Sequence, residues 1–241
     1  MSEISFENYG RRARDLKDPT CVAGRYALQA TAERQILPDV AQKLQLGPED
    51  RLLDIGCNVG NLLIPLSFLV GSVTGVDHAN CLEKLRTRYQ AENLRLLPGN
   101  FLEVTIDEHF DKILCYSVLH YLADEREVDR FLSKALRLLA PGGKALFGDV
   151  PNQSRKERFL NSEQGNAFER QWQERVNKKT DNHNPQIELV PDHTLVQFDD
   201  ELLLQICGKY RNEGFDCYIL PQPSHLPFGN TREDILFIRP A

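Results

Sequence analysis

The sequence is short of several things, and each shortage excludes something. It has six cysteines, at 21, 57, 81, 115, 207 and 217, and none form a C-x-x-C pair. That spacing gives no signal for a zinc or iron–sulfur site. Several cysteines fall inside apolar strand-like runs, where this residue acts as a small core side chain. Such usage fits a reducing cytosol. Positive charge is not in excess: the formal net charge is −6. A chain built to grip nucleic acid over its whole surface is more often basic, so nucleic acid is disfavoured as a partner. The longest apolar run, 62–70, is too short to cross a bilayer and contains Pro65, so no membrane partner is expected. The N-terminal stretch MSEISFENYGRRARDLKD has no apolar core and is not expected to act as a signal peptide. No Gly/Ser-rich or Pro-rich linker divides the chain, and there is no internal repeat. What is left is one cytoplasmic domain spanning 1–241, with enough apolar residues (41%) for a substantial core.

Within that domain, short apolar runs alternate with amphipathic ones. The runs 51–56, 72–77, 94–99, 112–117, 144–150, 215–221 and 234–240 read as strands. The segments 25–46, 60–70, 79–91, 124–139 and 199–213 read as helices, with Pro38 a point at which the first can split. This alternation predicts βαβ units and a parallel sheet with helices on both faces. The last two strands are joined without a helix, which predicts an antiparallel pair at one sheet edge. Residues 1–46 form an N-terminal cap, of which 1–24 are polar and give no clear assignment. Residues 151–197 interrupt the rhythm and are far longer than an ordinary connection, so they read as an inserted lid or arm. Its first part, 154–179, suits one or two surface helices, and 151–179 carries a net charge of +3.

Residues 52–63 read LLDIGCNVGNLL: a buried strand reaches an acid, then a glycine-containing loop, then another apolar run. In an open α/β sheet such a loop, at the C-terminal end of a strand, is a nucleotide site. The dinucleotide fingerprint Gly-x-Gly-x-x-Gly fails, since Gly56 is followed by Asn58 and Asn61 at the other two positions. A phosphate-cradling loop fails too, for want of its lysine. The stretch Asp54-Ile55-Gly56-Cys57-Asn58-Val59-Gly60 resembles instead the first motif of class I S-adenosylmethionine-dependent methyltransferases, with Asn58 where a middle glycine is usual. Asn tolerates left-handed backbone better than most residues, so the turn survives.

Further matches follow in order over roughly residues 50–150. Asp77 and the adjoining His78 end the second strand, Gly99-Asn100-Phe101 follows the third, Cys115-Tyr116-Ser117 ends the fourth, and LLAPGGKALF (138–147) suits the helix–turn–strand after it. The resemblance implies a doubly wound, seven-stranded, mostly parallel sheet with an antiparallel edge strand. It implies S-adenosylmethionine as cofactor, with loop backbone at Gly56, Cys57, Asn58 and Gly60 against its methionine part and Asp54 reaching its ammonium. Asp77 would take the ribose hydroxyls, Asn100 and Phe101 the adenine, and Cys115–Ser117 the neighbourhood of the sulfonium. Similar enzymes fold an N-terminal segment over the cofactor through a Tyr-x-x-x-Ala pattern, here Tyr9 to Ala13, and an arginine, here Arg25. A solvated basic face around Arg11, Arg12 and Arg14 is the alternative.

Methyl transfer to a hydroxyl gains from a general base, whereas an amine must arrive neutral. The fourth motif lacks Asn/Asp-Pro-Pro-Tyr, and no Pro-Cys pair offers a nucleophile for pyrimidine carbon. This favours an O-methyltransferase acting on a small polar metabolite, with a sugar or nucleotide-sugar hydroxyl as the leading acceptor. His120 and Asp149 are the candidate bases, each with a structural alternative: packing for His120, a turn cap for Asp149. His183, His193 and His225 lie in loops and read as surface residues. No carboxylate partner makes Asp149 a metal ligand, so metal independence is expected. The insertion is expected to cover a small-molecule acceptor with Phe168 or Trp172, or else to form a homodimer arm. Two rival readings remain: an RNA-modifying methyltransferase, and a non-catalytic cofactor-binding or scaffold protein.

Overall fold

The computed structural model describes residues 1–179, 189–193 and 195–241. His183 lies outside the described residues. The cap is a string of short helices: α1 (Glu3–Asp15), α2 (Pro19–Val22), α3 (Ala30–Glu33) and α4 (Ile36–Leu44). The expected helix over 25–46 is therefore broken, and not at its proline. Arg34 and Gln35 separate α3 from α4, and Pro38 sits in the first turn of α4, where its missing donor costs no helical bond. Residues 1–24, unassigned from sequence, hold α1 under a Ser2 side chain that accepts from the Ser5 backbone N–H.

The alternating part follows as β1 (Arg51–Ile55), α5 (Leu63–Leu66), β2 (Ser72–Asp77), α6 (Ala79–Arg88), β3 (Leu94–Pro98), β4 (Phe110–Tyr116), α7 (Glu125–Arg137) and β5 (Leu139–Pro151). Then come α8 (Gln153–Leu160), α9 (Glu163–Lys179), α10 (Asp200–Asn212), β6 (Asp216–Pro221) and β7 (Arg232–Ile238). The helix expected over 60–70 is only α5, one turn that contains Pro65. Strand β5 begins earlier than expected because Ala140-Pro141-Gly142-Gly143 is absorbed into it as an irregularity, between the pairs Phe110–Leu139 and Lys112–Lys144.

The strands form one sheet in the order β3-β2-β1-β4-β5-β7-β6. β1 pairs in parallel with β2 and β4, and β4 with β5. β7 runs antiparallel to both β5 and β6, so the reversed strand lies one place in from the edge and β6 is the edge itself. Side-chain alternation divides the core. Leu53, Ile55, Ile113, Cys115, Phe147 and Phe237 face one way, against α7 and α10. Leu52, Leu114, Leu146 and Leu236 face the other, against α4, α5 and α6. With both faces covered, the sheet is doubly wound. α7 shows how sequence drives this. Asp124 caps its first turn, accepting from the Glu127 N–H at 2.8 Å, and Val128, Phe131, Leu132, Ala135 and Leu136 form one buried stripe. Burial of each large apolar side chain contributes about 1.5–3 kcal/mol.

The order reverses between β1 and β4, and the crevice at their C-terminal ends is the position where such sheets take ligands. α1 lies across that crevice. The Asn100 amide donates to the Met1 carbonyl (3.0 Å), and the Lys84 ammonium to that of Ala13 (3.0 Å). The insertion returns onto the same cap: Val190 exchanges two hydrogen bonds with the Asn8 side chain, at 2.7 and 3.0 Å. At the far edge, α10 and β6 bring the thiols of Cys207 and Cys217 together at 2.8 Å in the core.

Candidate functional site: two clefts at the strand ends

Two acids end neighbouring strands. Asp54 closes β1 and is 2% exposed, and its Oδ2 is buried without a hydrogen-bond partner. Burial, with the nearby Asp77 charge, pushes its carboxyl up to about 8. Asp77 closes β2 and is equally deep, but it is better satisfied. Its Oδ2 accepts from the Asn58 backbone N–H and its Oδ1 from that of His78, each at 2.6 Å. Burial raises its carboxyl while those two N–H groups oppose the rise. The Cys81 thiol also hydrogen-bonds this carboxylate, which keeps acceptor capacity for a further donor.

The loop between them has the expected backbone. Asn58 sits at φ 50° and Gly56 at φ 81°. A Cβ on Gly56 would come within 2.4 Å of Val118, so only glycine fits. Ser117 and Asp149 are also left-handed, at φ 62° and 60°. Among the described residues, three of the four non-glycine residues with positive φ thus lie at the strand ends around one crevice. Such strain persists only where the surroundings impose it.

The crevice holds a cleft of about 580 Å³ lined by Tyr9, Arg25, Asp54, Gly56, Cys57, Asn58, Asp77, Tyr116 and Ser117, among others. A smaller recess adjoins it and shares Met1, Gly56, Asp77 and Val118. Gly99, Asn100 and Phe101 line this second part. Asn100 Oδ1 already accepts from the Leu102 N–H (3.2 Å), and the Phe101 ring packs on Phe131 (4.9 Å). His78 and Cys115 line neither cavity. His78 Nδ1 caps α6 by accepting from the Asn80 N–H (3.1 Å), and its ring packs under Phe6 of α1. Cys115 points into the core on the α7 side. Gly60, at φ 85°, closes the loop onto Ile64 and Leu85. The Tyr9 hydroxyl donates to that of Tyr121 (2.9 Å), and burial pushes its own pKa up.

Arg25 is buried in the wall of the larger cleft. It donates to Ser117 Oγ (2.9 Å), lies 3.5 Å from Glu33 and 3.6 Å from Asp149, and leaves Nε unpartnered. Asp149 accepts from the Ser117 hydroxyl and faces Arg232 at 3.8 Å on its other side. Arg232 lines a separate cleft of about 1460 Å³, bounded by Tyr26, α8, α9 and the loop before β7. The row Arg25–Asp149–Arg232 therefore separates the two clefts. His120 stands beside this row. Its Nδ1 is buried and unpartnered, and burial, with the charges of Arg232 and Arg25, holds its pKa well below the usual histidine value. Of the loop histidines, His193 and His225 are exposed. Among the described residues, no group of three or more His, Cys, Asp or Glu could hold a metal ion. Nor is any helix there long and apolar enough to cross a membrane.

A methyltransferase-domain family matches residues 53–147, from β1 into β5. The matched segment is a methyltransferase domain. An uncharacterized methyltransferase of Bacillus cytotoxicus is 30% identical to it over 116 residues, covering 48% of this chain and 52% of that one. Nodulation protein S of Rhizobium tropici is 27% identical over 148 residues, covering 60% of each. The chain spans about half the length of the curated relatives it matches. Among solved structures, the N-methyltransferase NodS of Bradyrhizobium japonicum, in complex with S-adenosyl-L-homocysteine, superposes with TM-score 0.62 at 16% identity, covering 99% of this chain and 100% of that one. Phosphoethanolamine N-methyltransferase 1 of Haemonchus contortus gives 0.71 at 17% identity, covering 98% and 49%. These likenesses show the class I fold.

The methyltransferase domain fits the cofactor of its class on its own geometry. The unpartnered Asp54 oxygen is an acceptor awaiting a donor, and an ammonium supplies one together with the charge that would ionise it. Asp77 offers two carboxylate oxygens one strand away, where a ribose diol would lie, and the adjoining smaller recess is largely apolar in its lining. Sequence reasoning missed Glu33, Asn61, Val118, Tyr121 and Arg232. Glu33 and Asn61 hydrogen-bond each other (3.0 Å) and brace Arg25. No motif marks these residues, because helix packing and an antiparallel strand bring them to the site.

Proposed function

We propose that the protein moves a methyl group from S-adenosylmethionine to a hydroxyl of a small polar metabolite, a sugar or nucleotide-sugar being the first choice. One observation carries the reading: the cleft with the unpartnered Asp54 and the doubly held Asp77 lies one charged row away from a second, larger cleft. The cofactor, when bound, supplies an electrophilic methyl on a sulfonium. The chain's part is positional. Loop amides and Asp54 orient the methionine end, Asp77 fixes the sugar, and α1 excludes water from above.

His120 is the proposed general base. A hydroxyl must lose its proton as it attacks, and burial and two guanidiniums keep this imidazole in the neutral form that can accept one, at lowered basicity and from just behind the cleft linings. Asp149 is matched by Arg25 and Arg232, so it suits orientation of this row better than proton transfer. The basic lining of the larger cleft disfavours an ammonium-like acceptor. The lid reading of the insertion is supported by Trp172 of α9, which meets the Tyr26 ring edge-on at 5.6 Å across this cleft.

The test is incubation with methyl-labelled cofactor and fractionated cell extract, followed by identification of the labelled product. A labelled small hydroxyl compound bears the proposal out. A labelled RNA, or no label anywhere despite tight cofactor binding, overturns it. With the acceptor known, His120→Ala is expected to lower kcat and leave cofactor affinity intact. In the parent enzyme the acid limb of kcat against pH is expected below pH 6.5, since the imidazole stays neutral down to that range.

A further inference from the structure

Three cations and one acid line the larger cleft. Lys156 of α8, Arg175 of α9 and Arg232 of β7 line it, and Glu169 is the one acid among the described lining residues. Lys156 and Arg175 are exposed, so they act as adjustable outer charges. Arg232 is different, because its side chain is only 17% exposed and is fixed on two sides. Its guanidinium lies 5.0 Å from the centre of the Phe228 ring, a cation–π distance, and its Nη1 donates to the Asp149 carbonyl at 3.0 Å. Its Nε is 3.8 Å from the Asp149 carboxylate, too long for a hydrogen bond. No hydrogen bond within the described residues uses the Nε–Nη2 edge. That edge is the planar fork that guanidinium offers to phosphate. Arg155, close by, is already committed to Glu233 at 3.4 Å and to backbone carbonyls.

We infer that Arg232, supported by Lys156 and Arg175, is the anchor for a phosphate group on the methyl acceptor. This deepens the function proposed above and rests on it. A phosphate held there leaves the rest of the molecule between the Tyr26–Trp172 pair and the charged row, beyond which lies the cofactor cleft. A neutral sugar would gain only uncharged acceptors for that fork, without the charge pairing a phosphate supplies. A phosphorylated one would be fixed in register with the methyl, so Arg232 sets which metabolites are accepted.

The test uses inorganic phosphate as probe, with acetate as the weaker monoanionic control, titrated calorimetrically at constant ionic strength into the full chain saturated with S-adenosylhomocysteine. Phosphate is expected to bind more tightly than acetate. Arg232→Gln is expected to weaken phosphate by roughly tenfold, the effect of losing a charge-assisted hydrogen-bond pair. The exposed Lys156→Gln, a substitution that leaves the core untouched, is expected to weaken it about threefold. Both variants should bind S-adenosylhomocysteine as the parent does. Phosphate no better than acetate overturns the anchor, as does phosphate affinity indifferent to both substitutions. Should Arg232→Gln fail to fold, Lys156→Gln decides. If the parent chain does not bind S-adenosylhomocysteine at all, the function proposed above fails instead. If it binds that compound and ignores phosphate, only the anchor fails.

Discussion

Asp54 and Asp77 both end buried strands, yet they respond to protons differently. Asp54 has no partner and is pushed up to about 8, so at neutral pH it holds a proton that the unfolded chain, near the ordinary 3.8, does not. The folded state therefore binds the extra proton between those values, and stability falls as pH rises from about 4 to 8. Asp54→Asn removes that loss. We expect it to raise Tm by about 2–8 °C at pH 8, for 1–2 kcal/mol in a domain of this size, with little change at pH 4. The same substitution should weaken S-adenosylhomocysteine, because an ammonium needs the ionised form. In the parent chain, ligand binding between pH 6 and 8 should release a proton, seen as a dependence of calorimetric heat on the buffer's ionisation enthalpy. Asp77→Ala should retain the fold but lose about 10–100-fold in affinity for the same ligand, from two charge-assisted hydrogen bonds. Unchanged affinity would remove Asp77 from the ribose site. At this scale the sequence was partly legible. Asn58 could be read as left-handed because a motif fixes the loop. Ser117 and Asp149 could not, because their φ is imposed by contacts across adjacent strand ends.

The elements differ in how much of their form is local. α7 is legible because its cap and apolar stripe agree. The helix over 25–46 is not, since the break at Arg34 and Gln35 carries no glycine or proline, and Gln29 is turned aside to donate to the Pro227 carbonyl at 3.0 Å. Strand β5 was read short because Pro141-Gly142-Gly143 looks like punctuation, whereas the pairing with β4 tolerates it as an irregularity and the Gly142 N–H donates to the Arg239 carbonyl at 2.9 Å. α4 is tied to the sheet by a buried ion pair: Lys43 lies 2.6 Å from both Asp39 and Asp234. Asp234 is fully buried, and it also accepts from the Asp149 N–H (2.9 Å) and from Gln222 (2.8 Å). Lys43→Met should therefore cost about 3–5 kcal/mol, read from chemical denaturation, by leaving a buried carboxylate without its cation. Trp172→Ala on α9 should leave stability and S-adenosylhomocysteine affinity unchanged, while raising KM for the acceptor once that is known.

At the scale of the molecule, the parallel sheet was legible from alternation, while its seven-stranded form and the cofactor crevice followed from the resemblance carried by residues 54–60 and the motifs after them. The arrangement of the cap was not, because α1 is held by contacts distant in sequence, to Asn100, Lys84 and Val190. Met1 and Tyr9 of the cap line the cleft, so S-adenosylhomocysteine bound there would pack beneath α1 and hold it in place. Amide hydrogen exchange over 3–15 should slow markedly when that ligand is added, with the sheet unaffected; unchanged exchange would mean the helix is no cover.

The burial of all six thiols has a practical outcome. A chromogenic disulfide reagent in water should find nothing to attack until the chain opens, so the time course of colour would be a direct clock of that opening. Peptide mapping of the labelled sulfurs would then tell whether Cys57 and Cys81, beneath the loop and α1, come free before the Cys207–Cys217 pair at the opposite rim.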